Sequence, residues 1–403
     1  MIIAIIGAGA SGMAAALAAS DTKENKIYLL EKQARIGKKL AATGNGRCNL
    51  TNLQPLDGRY HGEDPAFVNF ALEKFPPNET LDWFRSLGLF TMNENNGKVY
   101  PYSEQANSVV DTLRFALNKP NISLRTDFEI LKIRNSGQKY ILESKDEQLI
   151  CDRLIIACGG LAGTRLGGSL SGYKLLQSLG HKATRLRPSL VQIKTDWDNI
   201  KSLKGVRANC KVSILHNEVK KATSEGELQF TDYGLSGPVI FEISRDACSK
   251  KGCWEAHLDF LPQMSESALL NELIRRKSTD LLTDDFMIGI LHNRLGKVLV
   301  KEAKIPFGIK ICEVSNDKIK KLCKLTKELS VVLKEPMGMD QAQVTAGGIC
   351  TDEFDPKTME SRISPGLYAC GEILDIDGDC GGFNLQWAWS SGRLAGICAS
   401  KKS

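Results

Sequence analysis

Three glycines near the start of the chain have the spacing that lets a polypeptide backbone come close to a phosphate. Gly7, Gly9 and Gly12 follow a short apolar run, and Glu31 ends the next one. In such a pattern the first glycine allows a tight turn, the second makes room for a pyrophosphate, and the third lets a helix pack closely on a strand. Glu31 can accept a hydrogen bond from a ribose hydroxyl. These residues therefore predict a site for a dinucleotide.

Two strands and a helix are needed to position these residues, and the sequence predicts all three. Residues 1–6 are rich in isoleucine, residues 13–19 are rich in alanine and leucine, and residues 27–30 are apolar again. This order of elements is the βαβ unit of an α/β fold. The N-terminus of its helix offers free N–H groups and the positive end of a dipole to phosphate groups.

Other glycine-rich segments point to a flavin rather than to a nicotinamide. One is the polar loop 41–52, one is the strand end 158–160, and one is the turn 378–384. An acid such as Glu372 can bind the ribityl chain, and the helix that starts near Asn384 can stabilise negative charge on the reduced ring. We therefore expect noncovalent FAD. The sequence contains no second Gly-x-Gly-x-x-Gly unit, so NAD(P)H, the expected reductant, would bind without a Rossmann domain of its own.

The residues expected to bind FAD lie in these motifs and in the segment after Glu31. They are Gly7, Gly9, Ala10, Ser11, Gly12, Glu31, Lys32, Lys39, Thr43, Gly44, Asn45, Gly46, Arg47, Cys48, Asn49, Ala157, Cys158, Gly159, Gly160, Gly371, Glu372, Gly381, Gly382, Phe383, Asn384 and Leu385. Considered singly, each motif also has a structural explanation, such as a tight turn. Their combination is what predicts the cofactor.

The composition is that of an ordinary globular protein with a formal net charge of +6. Its 12 cysteines form no Cys-x-x-Cys pair and no cluster with histidine, so neither a metal site nor a thioredoxin-type pair is expected. Residues 1–19 are apolar, but they lack a basic segment and glycines interrupt them. We therefore expect neither a signal peptide nor a membrane span, and a cytoplasmic protein.

With 403 residues, the chain is expected to form two or three domains. Residues 122–142 alternate between apolar and polar and predict a β-hairpin, and further short strands follow Pro188. Apolar residues at helical spacing begin near Leu261. The expected domains are an FAD-binding domain (1–189 and 343–403), a β-rich barrel-like domain (190–260 and 306–342) and a helical insert (261–305).

Longer stretches of the sequence resemble one known family. They are 41–52, 158–160, 235–238, 343–348 and 368–392. Together they resemble the BaiN/RdsA family of FAD-dependent oxidoreductases, and the resemblance covers essentially the whole chain. It implies a Rossmann-type FAD domain built from both chain ends and interrupted by a β-barrel-like domain with a helical insert. A shorter stretch, 171–181, is similar to the fumarate-reductase flavoproteins.

The resemblance implies a reaction class but leaves the substrate open. Members of the family are associated with reduction of a uridine in large-subunit ribosomal RNA to dihydrouridine, with reduction of unsaturated 3-oxo bile acids, and with oxidation of aminoacetone. The first two share hydride transfer from flavin N5 to the β-carbon of a carbonyl-conjugated C=C, followed by protonation of the α-carbon. That chemistry needs a general acid and hydrogen-bond donors for the carbonyl oxygen.

Several residues are candidates for these two roles. Cys48 and the hydroxyls of Tyr100 and Tyr102 are candidates for the acid, and Arg47 and Asn49 are candidates for the oxygen donors. Each could equally hold the flavin or pack in the core, and for Cys48 the two interpretations are evenly balanced. A histidine at a helix end, such as His181, is usually structural and is a poorer candidate.

An RNA substrate would need a surface that contacts phosphates, and positive charge is concentrated between residues 275 and 327. The residues expected to contact RNA are Arg275, Arg276, Lys277, Lys301, Lys304, Lys320, Lys321 and Lys324. We predict reduction of a 23S ribosomal RNA uridine on this basis. Such charged runs are more often solvated helix faces, in which case the protein would act on a small molecule.

Overall fold

The computed structural model describes residues 1–94, 96–247 and 251–401. The chain divides into two compact units, which we call unit 1 (Met1–Pro188 and Gln343–Ser403) and unit 2 (Ser189–Ala342).

Strands and helices are numbered in the order in which they occur along the chain. The strands are β1 (Ile2–Ile6), β2 (Lys26–Leu30), β3 (Thr51–Asn52), β4 (Tyr60–His61), β5 (Thr91–Asn93), β6 (Lys98–Pro101), β7 (Ile122–Arg125), β8 (Lys132–Ser136), β9 (Lys139–Glu143), β10 (Gln148–Cys151), β11 (Arg153–Ile156), β12 (Arg187–Ser189), β13 (Ile193–Thr195), β14 (Arg207–His216), β15 (Val219–Phe230), β16 (Gly234–Ser236), β17 (Trp254–Asp259), β18 (Leu329–Pro336), β19 (Val344–Ala346), β20 (Leu367–Ala369) and β21 (Asp377–Gly378). The helices are α1 (Ala10–Ala19), α2 (Lys38–Ala42), α3 (Asn69–Lys74), α4 (Pro77–Ser86), α5 (Ala106–Ala116), α6 (Ser171–Ser178), α7 (Pro238–Ser244), α8 (Glu266–Arg276), α9 (Asn293–Glu302), α10 (Asn316–Lys327) and α11 (Phe383–Ser400).

Unit 1 is built on a five-stranded parallel sheet with the order β20-β11-β1-β2-β7. Consecutive residues of β1, from Ile3 to Ile6, are buried. A strand that is buried along its whole length is typical of a parallel sheet covered on both faces. The predicted βαβ unit is therefore present, with β1, α1 and β2 in the expected order.

The terminal helix α11 packs against α1 with almost no space between the two backbones. A side chain at Gly392 would overlap the carbonyl oxygen of Ser11, and one at Gly396 would overlap that of Ala15. Both contacts advance in the same direction along the two helices, so α1 and α11 run parallel.

The segment 122–142 differs from the predicted hairpin. Its first part, β7, pairs in parallel with β2 and is the edge of the large sheet, whereas β8 and β9 form an antiparallel pair. An edge strand is only partly buried, so β7 keeps the alternation that also characterises a half-buried hairpin strand.

Unit 2 contains a closed barrel with the strand order β13-β16-β15-β14-β17-β18. Cys210, Val212 and Ile214 of β14 are fully buried, and this spacing of two places them on the inner face. The chain leaves the barrel after β17, forms α8, α9 and α10, and returns at β18. The helical segment extends beyond its predicted end at residue 305. Pro306 and Gly308 lie between α9 and α10, and the chain becomes helical again after them.

The predicted fold class, α/β with an inserted barrel and helices, is confirmed. Among the described residues, no helix is long and apolar enough to cross a membrane.

The contact between α1 and α11 gives a prediction for stability. Gly396→Ala should lower the free energy of unfolding by about 1–3 kcal/mol, because the added methyl group forces two backbones apart. Gly226→Ala is the control, since the nearest atom to its added Cβ lies at 3.9 Å. Unfolding in urea measures both. Equal stability of the two variants would show that the helices do not pack this tightly.

Candidate functional site

The three glycines after β1 have different surroundings. Gly7 has a positive φ of 103°, and its added Cβ would lie 2.5 Å from the carbonyl oxygen of Ala157. A side chain at Gly12 would overlap the carbonyl oxygen of Gly7. A side chain at Gly9 would meet no protein atom within 4 Å. Packing therefore requires Gly7 and Gly12, whereas Gly9 borders open space.

The N-terminus of α1 lies at this space without a capping side chain. Its N-cap is Gly9, and its first turn contains no acid. The first N–H groups and the positive end of the helix dipole are therefore available to an anion. Ser11, which was expected to bind FAD, is buried and donates to the carbonyl oxygen of Cys370 at 3.5 Å. It holds the end of β20 against α1.

Glu31 is fixed beside the glycine turn by two backbone groups. One carboxylate oxygen accepts from the N–H of Ala8 at 2.8 Å, and the other accepts from the N–H of Gln33 at 2.9 Å. Each oxygen retains a lone pair for a ribose hydroxyl. The neighbouring Lys32 donates to the hydroxyl of Ser169 at 2.6 Å.

The loop after α2 has an unusual backbone. Gly44, Asn45, Gly46 and Cys48 all have positive φ, between 55° and 85°. Gly44, Asn45 and Gly46 are exposed, so the loop presents backbone to the surroundings. Thr43 is turned inward, where its hydroxyl donates to the carbonyl oxygen of Leu40 at 2.7 Å.

Arg47 lies over the ring of Tyr100, with 4.0 Å between the guanidinium carbon and the ring centroid. Its Nη2 contacts Glu94 at 2.9 Å and Glu104 at 2.6 Å. The hydrogen bond with Glu94 is the main cause of a raised pKa of Arg47, which therefore stays charged. Its Nε is buried and has no partner among the described residues.

The other candidates for the general acid and for the donors to the carbonyl oxygen differ in their exposure to solvent. Cys48 is fully buried, and burial raises the pKa of its thiol to about 12. Asn49 accepts from the N–H of Val99 at 3.2 Å. Tyr100 is buried beneath Arg47, and burial raises its pKa, whereas Tyr102 is 72% exposed. For Cys48 these observations favour packing in the core over proton donation.

The ends of β11 and β20 meet beside the glycine turn. Gly159 has a φ of 69°, and a side chain there would meet no atom within 4 Å. A side chain at Gly160 would overlap the carboxylate of Glu372. Glu372 is held by the ammonium of Lys39 at 2.7 Å and by the N–H of Thr345 at 2.8 Å.

Ala157 and Cys158 directly follow β11 and pack at these strand ends. The thiol of Cys158 donates to the carbonyl oxygen of Ile6 at 3.5 Å, and burial raises its pKa to about 12. Ala157 is buried, whereas Cys158 is partly buried. Both residues therefore support the strand ends by packing.

The second helix N-terminus belongs to α11. It follows Gly381 and Gly382, which have φ values of 119° and 105°, and it has neither a capping side chain nor an acid in its first turn. Asn384, expected to bind FAD, closes the preceding loop through its side chain, which bonds to the N–H and the carbonyl oxygen of Gly378. Phe383 is buried and Leu385 is partly buried.

The two uncapped helix N-termini are staggered. Gly392 packs on Ser11, the second residue of α1, and the two helices run parallel. The N-terminus of α11 therefore extends eight residues beyond the N-terminus of α1, which is about 12 Å along the helix axis. FAD has two regions that benefit from such positive ends, namely its diphosphate and the N1/C2=O edge of its reduced ring. The residues present therefore fit FAD.

One polar cluster next to α11 was missed by the sequence analysis. His61 is hydrogen-bonded through Nε2 to Oδ1 of Asp379 at 2.7 Å, and Arg59 contacts the other carboxylate oxygen at 3.2 Å. His61 and Asp379 are 318 positions apart, so no local spacing signals the pair.

His181 belongs to a separate, buried network. Its Nδ1 contacts Glu353 at 2.9 Å, its Nε2 contacts the hydroxyl of Ser361 at 3.0 Å, and its ring stacks on Phe354. Burial lowers its pKa. This arrangement is structural.

Comparison with known proteins assigns the chain to a family. The model of the HI0933-like protein Rossmann domain matches residues 1–398. The chain belongs to this family. It is a flavoprotein oxidoreductase. No group of acids, cysteines and histidines that could hold a metal ion occurs in the described part of the chain.

Three similar proteins illustrate the range of this family and fold. The 3-dehydro-bile acid delta(4,6)-reductase of Clostridium scindens is 38% identical over 99% of both chains. The ribosomal RNA dihydrouridine synthase of Escherichia coli is 29% identical over 96% of this chain and 95% of that protein. The structure of 3-ketosteroid delta1-dehydrogenase from Sterolibacterium denitrificans has a TM-score of 0.50 and 11% identity, and the match covers 99% of each chain. That last similarity concerns the fold alone.

The open space at Gly9 gives a prediction for cofactor binding. Gly9→Leu should weaken FAD binding by more than about 100-fold, or roughly 2.7 kcal/mol, because the side chain fills the pyrophosphate position. The apoprotein should lose no more than about 1 kcal/mol of stability from the change at the N-cap, since the backbone of Gly9 is extended (φ −80°) and no protein atom lies nearby. FAD released by acid precipitation and unfolding in urea test the two parts. Full FAD content in this variant would place the pyrophosphate elsewhere.

Proposed function

We propose that the protein reduces a carbon–carbon double bond conjugated to a carbonyl group, with NAD(P)H as the source of electrons. Bound and reduced FAD would supply a hydride to the β-carbon. The observation that carries the proposal is the pair of parallel, uncapped helix N-termini in one unit, which are staggered by about 12 Å along the helix axis. Relatives named as a bile-acid reductase and as a dihydrouridine synthase support the same reaction class.

The chain's own residues would have the following roles in binding FAD. The backbone at Gly9 and the start of α1 bind the diphosphate, and Glu31 binds a ribose. Glu372, positioned by Lys39, binds the ribityl chain. The N-terminus of α11 stabilises negative charge at the ring edge.

The substrate that we propose first is a uridine of 23S ribosomal RNA. Lys304, Lys321 and Lys324 of unit 2 are exposed, and within the described residues they make no ion pair or side-chain hydrogen bond. Lys321 and Lys324 lie one helical turn apart on α10, on the same face. Such lysines are suited to contact a phosphate backbone. Dihydrouridine synthases that are 29% and 27% identical support this choice.

A small conjugated ketone, such as an unsaturated 3-oxo steroid, is the second candidate. The other five basic residues expected to contact RNA already have partners inside the protein. Arg275 pairs with Glu272, Arg276 donates to the carbonyl oxygen of Ile288, Lys277 donates to Asn316, Lys301 donates to Asn199, and Lys320 pairs with Asp317. The similarity of 38% to a bile-acid reductase also favours this candidate.

Reoxidation of the reduced enzyme tests the reaction and the substrate class together. The FAD enzyme is reduced with dithionite without oxygen and mixed with unmodified 23S ribosomal RNA or with a steroid 4,6-dien-3-one. We expect RNA to reoxidise the flavin and to gain dihydrouridine. Reoxidation by the steroid alone would establish the second candidate, and reoxidation by neither would contradict the proposed reaction.

The unpaired lysines give a prediction for RNA affinity. Replacing Lys304, Lys321 and Lys324 by glutamine should flatten the log–log dependence of affinity on salt, by roughly 0.7–0.9 for each phosphate that the variant no longer neutralises. Filter binding of 23S ribosomal RNA at several salt concentrations measures this slope.

The control variant removes the same number of positive charges, but from lysines that are paired with carboxylates. Lys194, Lys204 and Lys310 lie 2.7–3.0 Å from Glu335, Asp232 and Asp280, respectively. Replacing them by glutamine should leave the slope nearly unchanged. Equal effects of the two sets would contradict a phosphate-binding face on α10.

A further inference from the structure

The short strand β4 holds a histidine in a defined orientation. The side chains of its two residues point to opposite faces, as in any strand. Tyr60 is buried, and its hydroxyl donates to the carbonyl oxygen of Phe383 at 3.1 Å, at the start of α11. His61 points to the other face, and its side chain is 34% exposed. The strand is thus anchored to α11 by one residue and presents an accessible imidazole with the next.

Asp379 is held in place so that its carboxylate faces this imidazole. Its backbone N–H donates to the carbonyl oxygen of Arg59 at 2.9 Å, and its own carbonyl oxygen accepts from Asn384 at 3.2 Å. Its two carboxylate oxygens contact His61 and Arg59. A carboxylate fixed on one ring nitrogen sets the tautomer of a histidine and stabilises its charged form.

The pair lies at the end of α11 where the flavin ring is proposed to bind. Asp379 precedes Gly381 and Gly382, which lead directly into the uncapped N-terminus of α11. His61 therefore combines exposure, a positioning carboxylate and proximity to the ring edge. Cys48, by contrast, is fully buried.

We propose that His61 is the proton donor of the reduction and that Asp379 is its positioning residue. This inference rests on the proposed function. As the hydride adds to the β-carbon, the π-electron pair moves to the α-carbon, which takes the proton from Nδ1 of the charged imidazole. The two electrons come from reduced FAD and the proton comes from His61. Neutral His61 keeps its Nε2–H on Asp379 and regains a proton from water.

Several charged groups lie around His61. Asp379 contacts it directly, Arg59 contacts Asp379, and Asp377 lies opposite His61 in the pairing of β4 with β21. Asp375, two positions earlier, accepts from the N–H of Glu63.

The first test needs no substrate. The midpoint potential of bound FAD is measured against pH in the wild type and in His61→Gln. A positive charge near the ring favours reduction, so the variant should have the lower potential at about pH 5.5, and the difference should shrink as the pH rises and His61 loses its proton. Identical potentials at both pH values would overturn the proposal, because His61 would then not lie at the ring.

The second test measures proton transfer. The dithionite-reduced enzyme is mixed with 23S ribosomal RNA and with a steroid 4,6-dien-3-one, and the faster oxidant is used for the variants. His61→Gln should slow reoxidation by roughly 10²–10⁴-fold and remove its pH dependence, whereas its FAD content and its reduction by dithionite stay normal. Asp379→Asn should retain a pH dependence that is shifted to lower pH, since the charged imidazole loses its stabilising carboxylate.

His257→Gln is the matched control. His257 is 25% exposed, lies in unit 2 and contacts the carboxylates of Glu255 and Glu328. Its replacement should change neither the potential nor the rate. Wild-type reoxidation rates in His61→Gln would overturn the proton-donor role. Failure of both oxidants with the wild type would instead overturn the proposed function, and the potentials would still decide whether His61 lies at the ring.

Discussion

The close packing of α1 against the turn that precedes it is the constraint on which the rest of unit 1 depends. Only a hydrogen atom fits between Gly12 and the carbonyl oxygen of Gly7, so the start of α1 is fixed at the end of β1. Gly392 and Gly396 then fix α11 against α1 in the same way. These backbone contacts determine where both uncapped helix N-termini lie. In the binding mode that we propose, their stagger accommodates the two ends of a long, doubly anionic cofactor.

The glycine turns and the helix starts of this arrangement could be predicted from the sequence, whereas individual long-range side-chain contacts could not. The βαβ unit, the glycine turn and Glu31 are defined by neighbouring residues, so their pattern was sufficient. The partners of Arg47, by contrast, are Glu94 and Glu104, which lie 47 and 57 positions away. The burial of Cys48 also depends on the left-handed backbone of its loop, which composition does not specify.

The sequence contains more basic residues in this region than the structure leaves available to a polyanion. Most of the basic residues between 275 and 327 that were expected to contact RNA are bound to carboxylates, amides or carbonyl groups of the same unit. A paired arginine or lysine must give up its partner to bind a phosphate, and this exchange reduces its net contribution. The few unpaired lysines therefore have more weight in the choice of substrate than the total charge.

A crystal structure of the FAD complex is the most direct test of how the two helix N-termini bind the cofactor. We expect the diphosphate to contact the backbone at Gly9, and O2 of the ring to lie about 3 Å from a backbone nitrogen in the first turn of α11. Density that places the diphosphate away from Gly9, or the ring away from the start of α11, would contradict this arrangement.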